Sequence, residues 1–303
     1  MQPRNHPSAL ADLRRHLAEA ALRAGPAAVG QVSFGAAGLD AALGGGIARA
    51  ALHEVYAPGT ADLVAATGFA VGLAIRAAGE RPILWVRQDV VDAETGRLHP
   101  PGLIELGLDP GRILLVRVRD TEGVLRAGAE AARCPALGAV LIEPWGEARR
   151  LDLTASRRLS LAAEGSGATT LMLRAGVSPP PSAARTRWQV AALPSRAQEA
   201  NAPGDPAFVV RLLRHRGGVS EREWRVEWSR DRQSFQERHS FPERQSFPEN
   251  EFREQRAAPG HRSSADQDRA SLDAASLSRN VVPFPADRPA AAGGEDPDIR
   301  RTG

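Results

Sequence analysis

The chain contains no lysine; all 39 basic residues among its 303 are arginine. A phosphate-binding loop that needs a lysine point charge cannot draw one from anywhere in this chain. Cysteine is nearly absent too. Cys134 alone excludes a disulfide framework and a cysteine-cluster metal site, and it fits a reducing cytoplasm. The seven histidines are scattered without His-x-x-x-His spacing, so no metal site is expected. Long apolar runs are missing: the Phe69 to Ile75 region is interrupted by Gly72 and closes at Arg76, which argues against a membrane span. Met1 to Leu22 carries Arg14-Arg15 and no continuous apolar run, so it does not read as a signal peptide. Excess charge is small. A net charge of +3 with a pI near 10.1 reflects arginine usage, and it permits nucleic-acid contact without arguing for it. There is no G-x-S-x-G elbow, Gly44-Gly45-Gly46 is not a G-x-G-x-x-G fingerprint, and Cys134 beside Pro135 has no obvious histidine partner.

What is present centres on Gln31 to Gly79. A Leu43-Gly44-Gly45-Gly46 segment leads into a short apolar strand over Leu52 to Tyr56. A tight turn at Pro58-Gly59 follows, then a long apolar helix from about Ala61 to Ala78. Strand, glycine turn and helix in that order make the architecture of a phosphate-binding loop. The loop lacks the parts that bind phosphate. Its residues are Ala57-Pro58-Gly59-Thr60-Ala61-Asp62-Leu63-Val64, so the second glycine, the lysine and the hydroxyl of G-x-x-x-x-G-K-[ST] are missing. Asp62 would repel a phosphate. No cofactor is expected, and ATP binding least of all.

Along the rest of the chain, strands and helices alternate. Strands are expected at Ile83 to Arg87, Ile113 to Val118, Ala139 to Glu143 and Thr169 to Arg174. Helical pieces are expected at Gly102 to Gly107, Thr121 to Arg133 and Thr154 to Glu164, the last with a hydroxyl N-cap. Near-continuous apolar strands in this alternation predict an α/β fold, a mostly parallel sheet with helices on both faces. Trp188 to Leu193, Phe208 to Arg214 and Glu223 to Trp228 follow without helices between them, and Arg216-Gly217-Gly218 makes the last two a hairpin. At the N-terminus, Leu10, Leu13 and Leu17 fall at helical spacing within Ser8 to Ala24, before Gly25-Pro26.

Beyond Trp228 the composition turns polar, the signature of disorder. A hexapeptide repeats three times, as Arg232 to Glu237, Arg238 to Glu243 and Arg244 to Glu249. It reads either as slippage in a tolerant tail or as a multivalent peptide that offers three phenylalanines to a partner groove. The expected organisation is an N-terminal helix and linker over 1–30, one core over 31–228, and a tail over 229–303. Val281-Val282-Pro283-Phe284 is a weak docking motif in that tail.

Phe34-Gly35, Leu39-Asp40, Leu43-Gly44-Gly45-Gly46-Ile47 and Leu52-His53-Glu54-Val55 resemble the start of the RecA-type ATPase core. The degenerate loop, Ile83-Leu84-Trp85-Val86-Arg87, Trp188 and Arg216-Gly217-Gly218 make the chain similar to the ImuA family, bacterial RecA-related proteins of damage-induced mutagenesis. The resemblance spans roughly Pro7 to Trp228. It implies a RecA-like P-loop NTPase-type core with antiparallel C-terminal strands. It also implies partners, namely a catalytically inactive Y-family polymerase relative (ImuB) and an error-prone replicative-type polymerase. RecA itself and single-stranded DNA are further candidates.

Site residues follow from the same pattern. Glu143, at the end of an apolar strand, stands where a magnesium-binding Walker B acid would be, and Asp89, Asp92 and Glu94 are candidates for a second carboxylate. Without a phosphate cradle these acids are expected to bind no metal and hydrolyse no ATP, so the chain reads as a non-enzyme. The RecA pattern places DNA-binding loops after the fourth and fifth strands. The matching segments are Pro144 to Asp152, with Arg149 and Arg150, and Ala175 to Arg187, with Arg185 and Arg187. Trp224 and Trp228, four apart, share one face of the last strand and form either a partner patch or core. The rival readings are a divergent ATPase with an atypical loop and a SulA-like regulator that caps RecA filaments.

Overall fold

The computed structural model describes residues 30–238. The expected N-terminal helix, the second hexapeptide beyond Arg238, the third hexapeptide and the Val281 cluster lie outside the described residues. A small antiparallel pair, β1 (Gln31–Val32) and β2 (Ile47–Ala48), flanks helix α1 (Ala37–Ala42). The chain then builds β3 (Leu52–Ala57), α2 (Leu63–Ala78), β4 (Ile83–Gln88), α3 (Asp89–Thr95), α4 (Pro100–Glu105) and β5 (Ile113–Val118). Next come α5 (Thr121–Ala132), β6 (Ala139–Glu143), α6 (Leu153–Ser166), β7 (Thr169–Ala175) and β8 (Thr186–Leu193). The last strands are β9 (Ala207–His215), β10 (Arg222–Ser229) and β11 (Ser234–Glu237).

The large sheet has nine strands in the order β11-β10-β9-β8-β3-β7-β6-β4-β5. From β8 to β5 all neighbours are parallel, and β9, β10 and β11 add antiparallel pairs. The period of two along each strand sorts the core into two layers. Val55, Trp85, Leu141 and Leu173 face α2, whose Phe69, Leu73 and Ala74 are fully buried. Leu52, Val86, Ile142 and Met172 point the other way, against Val124 of α5 and Leu159 of α6. The chain leaves β3 and β4 toward the α2 face, and leaves β6 and β7 toward the α5–α6 face. Right-handed crossovers require that split, because the first connections move toward β5 and the later ones back toward β8. The β3/β7 and β4/β6 neighbours therefore diverge at their carboxyl ends, and such divergences open crevices.

Several details differ from the sequence expectations. Helix α6 begins one residue early, and its cap is the Asp152 carboxylate, which accepts the Ala155 N–H at 2.7 Å, not a hydroxyl. Helix α5 is capped the same way by Asp120, which accepts from Gly123 at 2.7 Å. A carboxylate caps and also complements the positive helix end. The Thr60–Ala78 stretch is long and apolar enough to cross a membrane, contrary to the sequence reading. Here it is a core helix, packed on the sheet face that carries the aromatic side chains Trp188, Phe208, Trp228 and Phe235. Gly72 permits this, since a Cβ there would come within 2.7 Å of Phe235 and 2.9 Å of Trp228.

The sheet also runs past the expected end of the core at Trp228. The first hexapeptide supplies β11, paired with β10 from Ser229–Ser234 to Val226–Glu237. Its Phe235 is completely buried. Burying a phenylalanine is worth about 2–3 kcal/mol, which offsets part of the roughly 1–2 kcal/mol per residue that ordering the strand costs; the ladder to β10 and the Glu237–Leu39 bond add to it.

Candidate functional site

The loop after β3 is shorter than a phosphate cradle. Only Pro58 and Gly59 separate the strand from the turn Thr60–Asp62, which runs straight into α2. Gly59 is extended, with φ −135° and ψ 176°, so the backbone does not curl its N–H groups around a shared point. The Asp62 carboxylate accepts the Ala192 N–H at 2.9 Å and ties the loop to β8. At the helix start, Leu63 is buried and Val64 is 78% exposed. Thr60 and Ala61 are exposed.

Glu143 ends β6 and is 3% exposed. It accepts from Trp85 Nε1 at 3.0 Å and from Arg87 Nε at 2.6 Å, both on Oε2, while Arg87 Nη2 lies 3.5 Å from Oε1. Burial pushes its carboxyl above the usual range, and Arg87 opposes that shift. Arg87 continues the network to Asp92 at 2.6 Å, and Arg117 joins Asp92 at 3.1 Å and Asp89 at 3.4 Å. Of the candidate acids, Glu143, Asp92 and Asp89 are thus paired with guanidinium groups, and Glu94 is exposed. Among the described residues no group of three His, Cys, Asp or Glu is placed to hold a metal ion.

The four arginines do not form one surface. Arg149 is exposed, and Arg150 pairs with Glu122. Both follow β6, at the carboxyl edge of the sheet. Arg185 precedes β8, and its N–H bonds Leu52 O at the start of β3, so it lies at the opposite edge. The six residues of β3 separate the two edges by roughly 20 Å. Arg187 is not a loop residue at all. It is the second residue of β8, 7% exposed, with Nε 2.9 Å from Glu54 Oε2. Trp224 and Trp228 do share a face, but that face is interior. They are 7% and 0% exposed, and Trp228 Nε1 donates to Leu106 O at 2.9 Å. Trp228 meets Phe235 at 4.8 Å, and Trp224 meets Trp188 at 6.1 Å. The partner-patch reading is overturned by this burial.

Sequence reasoning missed a buried polar cluster under the β7–β8 connection. Glu54 is 1% exposed; it accepts from Tyr56 OH at 2.8 Å and from Ser182 Oγ, beside the Arg187 contact. The Ala183 N–H donates to Ser156 Oγ of α6 at 3.0 Å. Arg174, 2% exposed, donates to Gly146 O at 2.9 Å. Burial raises the Tyr56 phenol, and Glu54 raises it further. These contacts hold the second half of the 176–185 segment down on the protein, so it is not a free DNA-binding loop. The only signal for the cluster in the sequence was a strand with charges inside it, Leu-His-Glu-Val-Tyr.

No protein-family model matches the chain. It is 33% identical over 205 residues to Protein ImuA of Caulobacter vibrioides, in strains NA1000 / CB15N and ATCC 19089 / CIP 103742 / CB 15. The match covers 62% of this chain and 79% of each relative. The chain belongs to the ImuA family. Within this ImuA family member, the loop after β3 and the Arg87–Glu143 pair stand at the carboxyl ends of β3, β4 and β6, beside the two divergences.

Proposed function

We propose that this protein is a non-catalytic, RecA-like accessory factor of SOS-induced translesion DNA synthesis. It acts in the cytoplasm through contacts with error-prone polymerase components, a Y-family relative (ImuB) and a replicative-type polymerase. Membership of the ImuA family and the strand–turn–helix order at Leu52 to Ala78 support the RecA-like reading. The observation that carries the non-catalytic part is the site itself. Two residues stand where a phosphate cradle needs a longer loop, and an arginine stands on the acid that would hold magnesium. Both parts of a nucleotide site are compromised by independent means, which weighs against the divergent-ATPase reading.

The experiment has two arms. Purified protein is assayed for phosphate release against its Glu143→Ala variant, and tagged protein is captured from its own host after DNA damage. Equal, background phosphate release with recovery of the two polymerase components supports the proposal. Phosphate release that Glu143→Ala abolishes would sink the non-catalytic reading. Recovery of RecA alone would move the function to filament regulation.

A further inference from the structure

The first hexapeptide is read almost residue by residue. Phe235 packs on Trp228 at 4.8 Å, Phe69 at 5.1 Å and Phe34 at 5.8 Å. Ser234 lies against Gly35, where a Cβ would come within 2.6 Å of it. The Glu237 carboxylate accepts the Leu39 N–H in the first turn of α1 and fills the space beside Gly38. Gln233 donates from Nε2 to Gly107 O at 2.9 Å, and its carbonyl accepts from Arg76 Nη1 at 2.6 Å. The fifth residue, Gln236, is used through its backbone. Phe235 N–H points away from β10 to Phe34 O at 2.8 Å, and Arg238 N–H points to Arg225 O at 2.9 Å. Alternation along the antiparallel pair then aims the Gln236 N–H at Glu227, its partner in register.

The second copy is Arg238-His239-Ser240-Phe241-Pro242-Glu243 and the third is Arg244-Gln245-Ser246-Phe247-Pro248-Glu249. Both keep serine, phenylalanine and glutamate, and both carry proline at the fifth place. Sliding either copy into the slot would lengthen the connecting turn from four residues to ten or sixteen. Loop closure penalises that only about fourfold or eightfold. Loop length alone would therefore leave three near-identical units competing for one slot, a register ambiguity. Proline removes the donor that Glu227 needs and puts its ring where the N–H pointed.

We propose that the slot between Phe34–Leu39 and β10 is a docking site selective for an extended Ser-Phe-x-Glu segment with an N–H at x, and that Pro242 and Pro248 fix the first copy as its occupant. The selection operates chiefly through one backbone hydrogen bond: serine, phenylalanine and glutamate recur in all three copies, and the one other side-chain difference, His239 where the first copy has Gln233, affects only an exposed bond to Gly107 O.

The test uses the full chain. Hydrogen exchange at the Phe235 amide is compared between the parent and Pro242→Ala, which restores a donor at the fifth place of the second copy. The second copy should then occupy about one molecule in five, given the fourfold loop penalty. Protection of Phe235 should fall to about fivefold with no loss of melting temperature. Unchanged protection in Pro242→Ala overturns the proposal. In a second comparison, Phe235→Ala should lower the folding equilibrium constant by about 100-fold or more. Adding Pro242→Ala should recover all but roughly fourfold of it, the loop penalty, and adding Phe241→Ala should abolish the recovery. If Phe235→Ala alone loses little, and Phe241→Ala with Phe247→Ala removes the rest, proline does not exclude the later copies and the proposal fails.

Discussion

Arg87 Nε lies 2.6 Å from Glu143 Oε2, at the ends of two adjacent parallel strands, β4 and β6. The pair is buried, with side chains 5% and 4% exposed. Where an NTPase would hold a hydrated cation between strand-end acids, this protein holds a guanidinium of its own. That arginine is hydrogen-bonded through both ends of its fork, to Glu143 and to Asp92. The charge is therefore structural, and removing one partner leaves the other buried without compensation.

Glu143→Ala should destabilise the fold by about 3–5 kcal/mol, because it strands Arg87 in the interior. Glu143→Gln should cost less, since the amide oxygen still accepts from Trp85. Urea denaturation of the two variants gives the order. A Glu143→Ala protein as stable as the parent would mean that the pair does not hold the strand ends together.

His53 gives a pH dependence. Its Nε2 donates to Ala48 O at 2.8 Å, so Nδ1 accepts from Thr186 Oγ1 at 2.7 Å and the ring is neutral. Burial lowers its pKa to about 4 from the ordinary 6.5. The unfolded chain binds the proton first, so this contribution is complete above pH 6.5 and lost as pH falls toward 4. The loss amounts to about 3 kcal/mol at one unit per 1.36 kcal/mol. Thermal melts of His53→Gln should lack that acid-side slope. An identical pH profile in parent and variant would remove His53 as its source.

Trp228→Ala should behave as a core truncation, costing about 3–5 kcal/mol in denaturant unfolding. Trp228→Phe should lose chiefly the bond to Leu106 O and cost about 1–2 kcal/mol. A Trp228→Ala variant that keeps its stability and loses only a partner would contradict the burial seen here.

The four arginines should separate in two assays. Arg187→Ala should destabilise the protein by about 3 kcal/mol, since it leaves Glu54 buried and unpaired. Arg149→Ala with Arg150→Ala, and Arg185→Ala, should leave stability within about 0.5 kcal/mol. If single-stranded DNA binds, these exposed sites at opposite sheet edges should change its salt slope independently. A loss of slope that appears only when both edges are altered together would argue against two separate contact points.

The alternation of apolar strands with helices was enough to predict a parallel α/β sheet, because strands buried on both faces must be continuously apolar. The hairpin at Arg216-Gly217-Gly218 was equally legible, since Gly218 takes φ +84° there. The shortness of the loop after β3 was legible as well, since Pro58-Gly59 lies directly between an apolar strand and an apolar helix, and the absent lysine is a fact of composition. Strand neighbours are another matter. β4 and β6 lie more than fifty residues apart in sequence, so only the sheet brings Arg87 to Glu143, and only the sheet brings Glu54 to Arg187. Burial of Trp224 and Trp228 depended on which face α2 covers, and a period of two cannot name the face. The first hexapeptide shows the limit most clearly. Its composition matches that of a polar tail, and it becomes a strand because Phe34 and Phe69, distant in sequence, and Trp228 across the hairpin leave room for one phenylalanine beside Gly72. Sequence determined what each segment could be; long-range packing decided which charges pair, which rings are buried and where the sheet ends.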